Sequence, residues 1–207
     1  MELLLTTLAA LISVMNPLGT VPVFVGLTKE HIVRDRNRTA FWTSFNVFII
    51  LIISFFLGKF MLVFFGITLN SLKIAGGLII TLSGFSLLSG EFAKHKGMKK
   101  EKVKKDIKTR SDISLTPLAL PMIAGPGTIS LLITYNQEYP EMENVLIILG
   151  AIVCSALIIF FTLRSSFLIV KLLGASGINA LSRIIGFIVI SIGVEFIVSA
   201  SKTIYNI

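Results

Sequence analysis

Cysteine is almost missing from this sequence: Cys154 stands alone inside an apolar run, so neither a disulfide nor a cysteine-based metal cluster is available. Histidine is nearly as scarce, and His31 and His95 both fall in charged connections. No Ser-His, Cys-His or paired-carboxylate arrangement falls within the apolar segments, and no glycine-rich phosphate loop appears. The expectation is a chain that is not an enzyme, carries no resident metal or cofactor, and has no ATP-hydrolysing site of its own. Charge is also sparse. With 54% hydrophobic and 14% charged residues and a mean hydropathy of +0.89, the chain has too little polar surface to coat itself in water, so lipid must be part of its solvent.

What is abundant is long apolar runs, spanning roughly 3–27, 40–65, 72–89, 113–135, 145–170 and 178–200. None alternates as a β-strand does, and each is long enough to cross a bilayer as a helix, which needs about 20 residues. The first run has no basic residue before it and continues past Pro17, so it is read as a retained span and not as a leader.

The net charge of +8 would suggest nucleic acid in a soluble protein, but here the cations sit between apolar runs and report orientation, so no nucleic-acid partner is expected. Lys29, Arg34, Arg36 and Arg38 lie in the first connection, a lysine-rich run from Lys94 to Arg110 fills the third, and Arg164, Lys171 and Arg183 edge the fifth. Lys59, Lys73 and Lys202 fall on the other side, where the fourth connection carries Glu138, Glu141 and Glu143. Odd connections should therefore be cytoplasmic and both termini external, in a multi-pass protein of the cell (inner or cytoplasmic) membrane. The basic run is expected to be a solvated linker, with anionic lipid as a partner.

That linker, residues 91–112, divides the chain into a first half, 1–90, and a second, 113–207, and the halves repeat. Asn70, Leu72, Gly77 and Gly84 recur as Asn179, Leu181, Gly186 and Gly193, a shift of 109 residues. A shift of 108 places Gly19 and Thr20 on Gly127 and Thr128, Ser54 on Thr162, and Gly66 on Gly174. With three spans per half the second copy enters from the opposite side. The fold class expected is an all-α polytopic membrane protein, six transmembrane helices as two inverted three-helix repeats.

Helices 1 and 4 should be discontinuous. Asn16-Pro17-Leu18-Gly19-Thr20-Val21-Pro22 interrupts the first apolar run, and three prolines and two glycines crowd Pro117 to Thr128 in the second half. Open backbone at membrane depth must face protein or a water-filled cavity, so the two breaks should meet near the midplane. Half-helices starting near Gly19 and Gly127 would aim amides at an anionic group. Carbonyls released before each break, around Val14 to Asn16 and Met122 to Ala124, would receive an ammonium group. A zwitterion such as a small amino acid fits. The candidate substrate-binding residues are Asn16, Pro17, Leu18, Gly19, Thr20, Ala124, Gly125, Pro126, Gly127 and Thr128, with proline kinks that bind nothing as the alternative.

Glu195 is the one carboxylate deep in an apolar run and is a candidate for ion coupling or for an interfacial role. Ser44 and Asn46 are candidates for lining the cavity, or for joining helices. Asn70 and Asn179 are expected as helix N-caps, the matched glycines as close-packing positions, and Lys73 and Arg183 as snorkelling anchors.

The stretches NPLGTVP (16–22) and PLALPMIAGPGTIS (117–130), with Phe65-Gly66-Ile67, Ala75-Gly76-Gly77 and the Arg183 to Gly193 segment, resemble the MarC family of integral membrane proteins over essentially the whole chain. The resemblance implies transport of small neutral amino acids such as glycine and alanine more than drug efflux. It also puts an amide where this chain has Glu195. The function expected is a gradient-driven secondary transporter. Export of another small metabolite or drug, a channel, and a structural membrane protein are the alternatives. The coupling ion, proton or sodium, the direction of transport and the oligomeric state stay open.

Overall fold

The computed structural model describes residues 2–90, 118–119 and 122–205. The basic linker read at 91–112, and Pro117, Leu120 and Pro121 of the second proline cluster, lie outside the described residues. Every described element is helical: α1 (Glu2–Met15), α2 (Pro17–Thr28), α3 (Val33–Phe65), α4 (Leu69–Leu88), α5 (Pro126–Glu138), α6 (Met142–Arg164) and α7 (Ser166–Tyr205). Residues 118–119 and 122–123, just before α5, are wound as a π-helix.

Four of these helices are long and apolar enough to cross a membrane: α3, α4, α6 and the Ser176–Tyr205 part of α7. The pair α1 and α2, bent by 41° at Asn16, makes a fifth crossing when taken as one broken span. The surface has the inverted polarity expected of a bilayer protein. Phe60, Val63, Phe64, Leu82 and Phe187 stand outward, whereas Thr7, Asn16, Thr20, Thr43, Thr128 and Ser155 are fully or almost fully buried.

Helix boundaries depart from the hydropathy runs where local chemistry overrides them. Helix α3 begins at Val33, so its first turns carry Arg34, Asp35, Arg36 and Arg38 and extend the span beyond its apolar part. Helix α6 stops at Arg164, and residues 166–173 form the first turns of α7. Thr68, not Asn70, caps α4: its Oγ1 accepts from the Ser71 amide at 3.2 Å. Asn179 falls inside α7, past the point where a cap acts.

Two glycines turn the chain at repeat-related places. Gly66 ends α3 at φ 64°, with its amide donating to the Val63 carbonyl and that of Ile67 to the Leu62 carbonyl, a glycine-terminated helix end. Gly174 has φ 63° and kinks α7 just before its spanning part. Both positions need a left-handed backbone that other residues reach only with strain.

The most extensive helix contact is between α4 and α7, and it is reciprocal. A Cβ added at Gly77 would lie 2.6 Å from the Gly193 carbonyl, and one at Gly193 would lie 2.6 Å from the Gly77 carbonyl. Gly84 and Gly186 stand in the same mutual relation, at 2.8 and 2.9 Å. Backbone thus meets backbone where the sequence placed its matched glycines. In lipid, where apolar side chains gain nothing by leaving one solvent for an equivalent one, such close approach is a main source of helix association. The remaining packing follows suit: α3 lies on α5 and α6, α6 on α1, α4 on α5, and α7 on α2.

Replacing Gly193 by valine should destabilise the protein by about 3 kcal/mol or more, since rigid backbone of Gly77 and Thr81 faces the new side chain. Gly26→Ala, at an exposed position of α2 where nothing lies within 4 Å, should be neutral or stabilising by up to about 1 kcal/mol. Thermal unfolding of the detergent-solubilised proteins reads both changes, and equal melting temperatures would contradict the packing described.

Candidate substrate site at the helix breaks

The first break is built on Asn16. Its backbone sits at φ 43°, ψ 66°, a left-handed conformation that asparagine tolerates better than most residues and that ends α1 and redirects the chain. Its Oδ1 accepts from the Gly19 amide at 3.2 Å, capping α2, with Pro17 in the first turn where no amide is needed. Thr20 Oγ1 turns back to the Asn16 carbonyl at 3.5 Å. Because a backbone amide can only donate, the acceptor facing Gly19 must be the oxygen, which fixes the orientation of the side-chain amide. The remaining atom, Asn16 Nδ2, is fully buried and has no hydrogen-bond partner among the described residues.

The second break has the same parts without the cap. The Ala124 amide donates to the Ala119 carbonyl at 2.9 Å, closing a wide π-type turn, and Gly125 is extended at φ −82°, ψ 175°. Helix α5 then opens with Pro126, and no side chain caps it. Among the described residues no side chain caps its first amides, at the buried Gly127 and Thr128, which precede the intrahelical ladder. Thr128 Oγ1 reaches the Ile123 carbonyl at 3.5 Å, much as Thr20 does at the first break.

A Cβ at Gly127 would lie 3.5 Å from Val14 Cγ1 and 2.9 Å from Ile80 Cγ1, so the end of α1 touches the start of α5. Asn16, Pro17, Gly19, Thr20, Ala124, Gly125, Gly127 and Thr128 are all buried, Leu18 is half-buried, and Pro126 is exposed. Elsewhere in the bundle Thr7 of α1, Thr43 of α3, Thr134 of α5 and Ser155 of α6 each present a buried hydroxyl with no hydrogen-bond partner among the described residues.

The outlying candidates fare differently. Ser44 is buried, but its hydroxyl donates to the Ala40 carbonyl one turn back at 3.0 Å, so the helix itself satisfies it. Asn46 is half-buried on α3. Glu195 lies on the exposed face of α7, in line with Ser191, Val198 and Lys202.

Sequence reasoning missed Lys73. Expected as a snorkelling anchor, it is 5% exposed, and its Nζ is ion-paired with Glu138 at the end of α5 and donates to Ser199 Oγ of α7 at 2.7 Å. The cluster ties three helices together. The signal was present, since an acidic residue at the end of the fourth apolar run answers a lysine at the start of the third on the same predicted side. Spacing alone does not bring them together.

The chain matches the family model described as "MarC family integral membrane protein" over residues 1–205. It belongs to the MarC family. The inner membrane protein MarC of Salmonella typhimurium is 34% identical over 200 residues, covering 93% of this chain and 90% of that one. The membrane protein YhcE of Escherichia coli is 36% identical over 195 residues, covering 94% and 90%. A membrane protein of Buchnera aphidicola subsp. Baizongia pistaciae is 37% identical over 194 residues, covering 93% and 89%. No solved structure matches it. Family membership and the apolar helices together make this MarC-family chain an integral membrane protein.

Two stability effects follow. Asn16→Ala should cost about 1–2 kcal/mol for the lost cap and about 1–2 more for an alanine in a left-handed backbone, whereas Asn16→Ser keeps a capping oxygen and should lose only the backbone part. Glu138→Gln strands the buried Lys73 charge and should cost about 3 kcal/mol, against a smaller loss for Lys73→Met/Glu138→Gln together. Melting curves of the four proteins in one detergent test both.

Proposed function

We propose that the protein is a secondary transporter of small neutral amino acids such as glycine and alanine, binding them where the two helix breaks meet. In this reading the chain forms six spans in two inverted three-helix halves, with both termini external. Residues 118–119 and 122–123, with α5, would make up the second broken span. The reciprocal contacts of Gly77 and Gly84 with Gly193 and Gly186, and the paired turns at Gly66 and Gly174, support the inverted arrangement. Swapping the halves maps each of these features onto its counterpart. The basic first connection supports the orientation.

The observation that carries the substrate is Asn16 Nδ2, a buried donor left over after its own oxygen has capped α2. A substrate carboxylate would accept from it and from the uncapped amides at Gly127 and Thr128, at the positive end of α5. The ammonium group would turn to the carbonyls of Ile123 and Ala124, beside the π-wound turn that precedes α5. Ile80 packs against Gly127 and limits the room beside the backbone, which favours substrates with little or no side chain. Rocking of one half against the other would expose the site to each side in turn.

Counterflow of labelled glycine into proteoliposomes tests the reading. Saturable uptake that alanine competes away is the expected result, and its absence sinks the proposal. Gly127→Leu, which drives a side chain into Ile80 and Val14, should abolish flux in a protein that still inserts. Asn16→Asp should raise KM about tenfold or more, because it keeps the cap and exchanges the free donor for an acceptor facing the substrate carboxylate. Flux under separately imposed proton and sodium gradients identifies the coupling ion. Glu195→Gln tests coupling through that residue, and unchanged gradient dependence would exclude it.

A further inference from the structure

Away from the helix breaks, a cavity of about 120 Å³ lies at the basic end of the helices. It has room for about four waters at roughly 30 Å³ each. Its walls come from both halves of the chain: Phe24 of α2, Arg36 and Asn37 of α3, Leu163 and Arg164 at the end of α6, and Ser166 and Phe167 at the start of α7.

The polar groups here are of one kind. Arg36 is held in place from three sides: Nε donates to the Thr28 carbonyl at 3.1 Å, Nη2 to the Lys29 carbonyl at 3.1 Å, and its guanidinium lies 3.8 Å from the centre of the Phe167 ring. Part of its donor set is spent capping the end of α2, and the rest is unclaimed. Arg164 lies 5.9 Å from the Phe160 ring centre. Neither guanidinium forms an ion pair with a carboxylate among the described residues. Ser166 is fully buried, and its Oγ has no hydrogen-bond partner among the described residues. A buried hydroxyl without a partner costs free energy comparable to a lost hydrogen bond, and two guanidinium groups without a carboxylate among the described residues line the same cavity. An anion with several acceptor oxygens relieves all three deficits at once.

We propose that this cavity binds a phosphate group, held between the guanidinium groups of Arg36 and Arg164 with Ser166 Oγ and the Asn37 amide donating to it. Guanidinium forks match phosphate oxygens in geometry as well as charge. The phosphate of an anionic lipid headgroup and a free phosphate ion offer the same chemistry. The exposed apolar residues Phe161 and Leu168 on either side of the Leu163 to Phe167 corner provide a path for acyl chains. Seated there, the group bridges α3 to the α6–α7 corner and so joins the two halves of the chain. It is independent of what the helix breaks bind.

The test uses the whole protein in maltoside detergent, which contains no phosphate. Bound phosphatidylglycerol is counted by native mass spectrometry, and inorganic phosphate is titrated calorimetrically against the same preparation. Arg164→Gln, an exposed change that leaves the α2 cap intact, should weaken binding about tenfold, and Ser166→Ala should weaken it about threefold. Lys29→Gln, an exposed cation on the same side and outside the cavity, should leave it unchanged. Saturable binding of inorganic phosphate that displaces the lipid assigns the site to the phosphate group itself. Lipid binding that phosphate does not displace, yet that falls in Arg164→Gln, assigns it to a lipid headgroup. If Arg164→Gln and Ser166→Ala bind both probes as well as Lys29→Gln does, the proposal is wrong.

Discussion

Everything in this protein turns on the need to satisfy backbone amides and carbonyls where no water is at hand. A continuous helix does so internally, and α3 and α6 take that course. The chain gives it up at two places, before Pro17 and before Pro126, and at each it must supply other partners or leave groups open to a ligand. At the first it supplies Asn16, whose side chain replaces the missing acceptor. At the second it supplies a π turn and leaves the start of α5 uncapped. Both breaks sit inside the bundle, surrounded by α3, α4, α6 and α7, because lipid tolerates neither.

Holding two breaks together demands a rigid frame, and the α4–α7 contact provides it. Gly77, Gly84, Gly186 and Gly193 let backbone approach backbone, so the axis between the halves is set by main-chain geometry and not by side chains that repack easily. At the far end of the same helices Lys73, Glu138 and Ser199 add a charged fastening between α4, α5 and α7. At the opposite, basic end Arg36 fastens α2 to the α6–α7 corner through two carbonyls and the Phe167 ring.

The sequence was most readable where one residue type has one physical use. Apolar runs located four spans and the bent pair of α1 with α2, proline with glycine located the bend at Asn16 and the start of α5, and the matched glycines located the most extensive helix contact. Positions became unreadable where the outcome depends on which helices become neighbours. Lys73 looked like an anchor because its partner lies 65 positions away in the chain. Ser44 was open to lining a cavity or joining helices, and its hydroxyl bonds one turn back in its own helix, while Asn70 looked like a cap because the true cap, Thr68, lies just two residues before it. The free amide of Asn16 could not be foreseen, since it depends on the other half of that side chain facing Gly19.

The halves are alike in frame and unlike at their centre, and the difference has a consequence. The repeat partner of Asn16 is Ala124 under the shift that superposes Gly19 on Gly127, so one break carries a side-chain donor and the other does not. A perfectly symmetric pair of breaks would offer a bound molecule two equivalent orientations. Here the α5 amides and Asn16 Nδ2 are donors, while the carbonyls of Ile123 and Ala124 in the turn before α5 are acceptors. A zwitterion placed between them would have a preferred direction, its carboxylate toward Asn16 and the start of α5. In the proposed transporter a symmetric frame would permit two-sided access, and the single asparagine would break the tie in how the cargo lies.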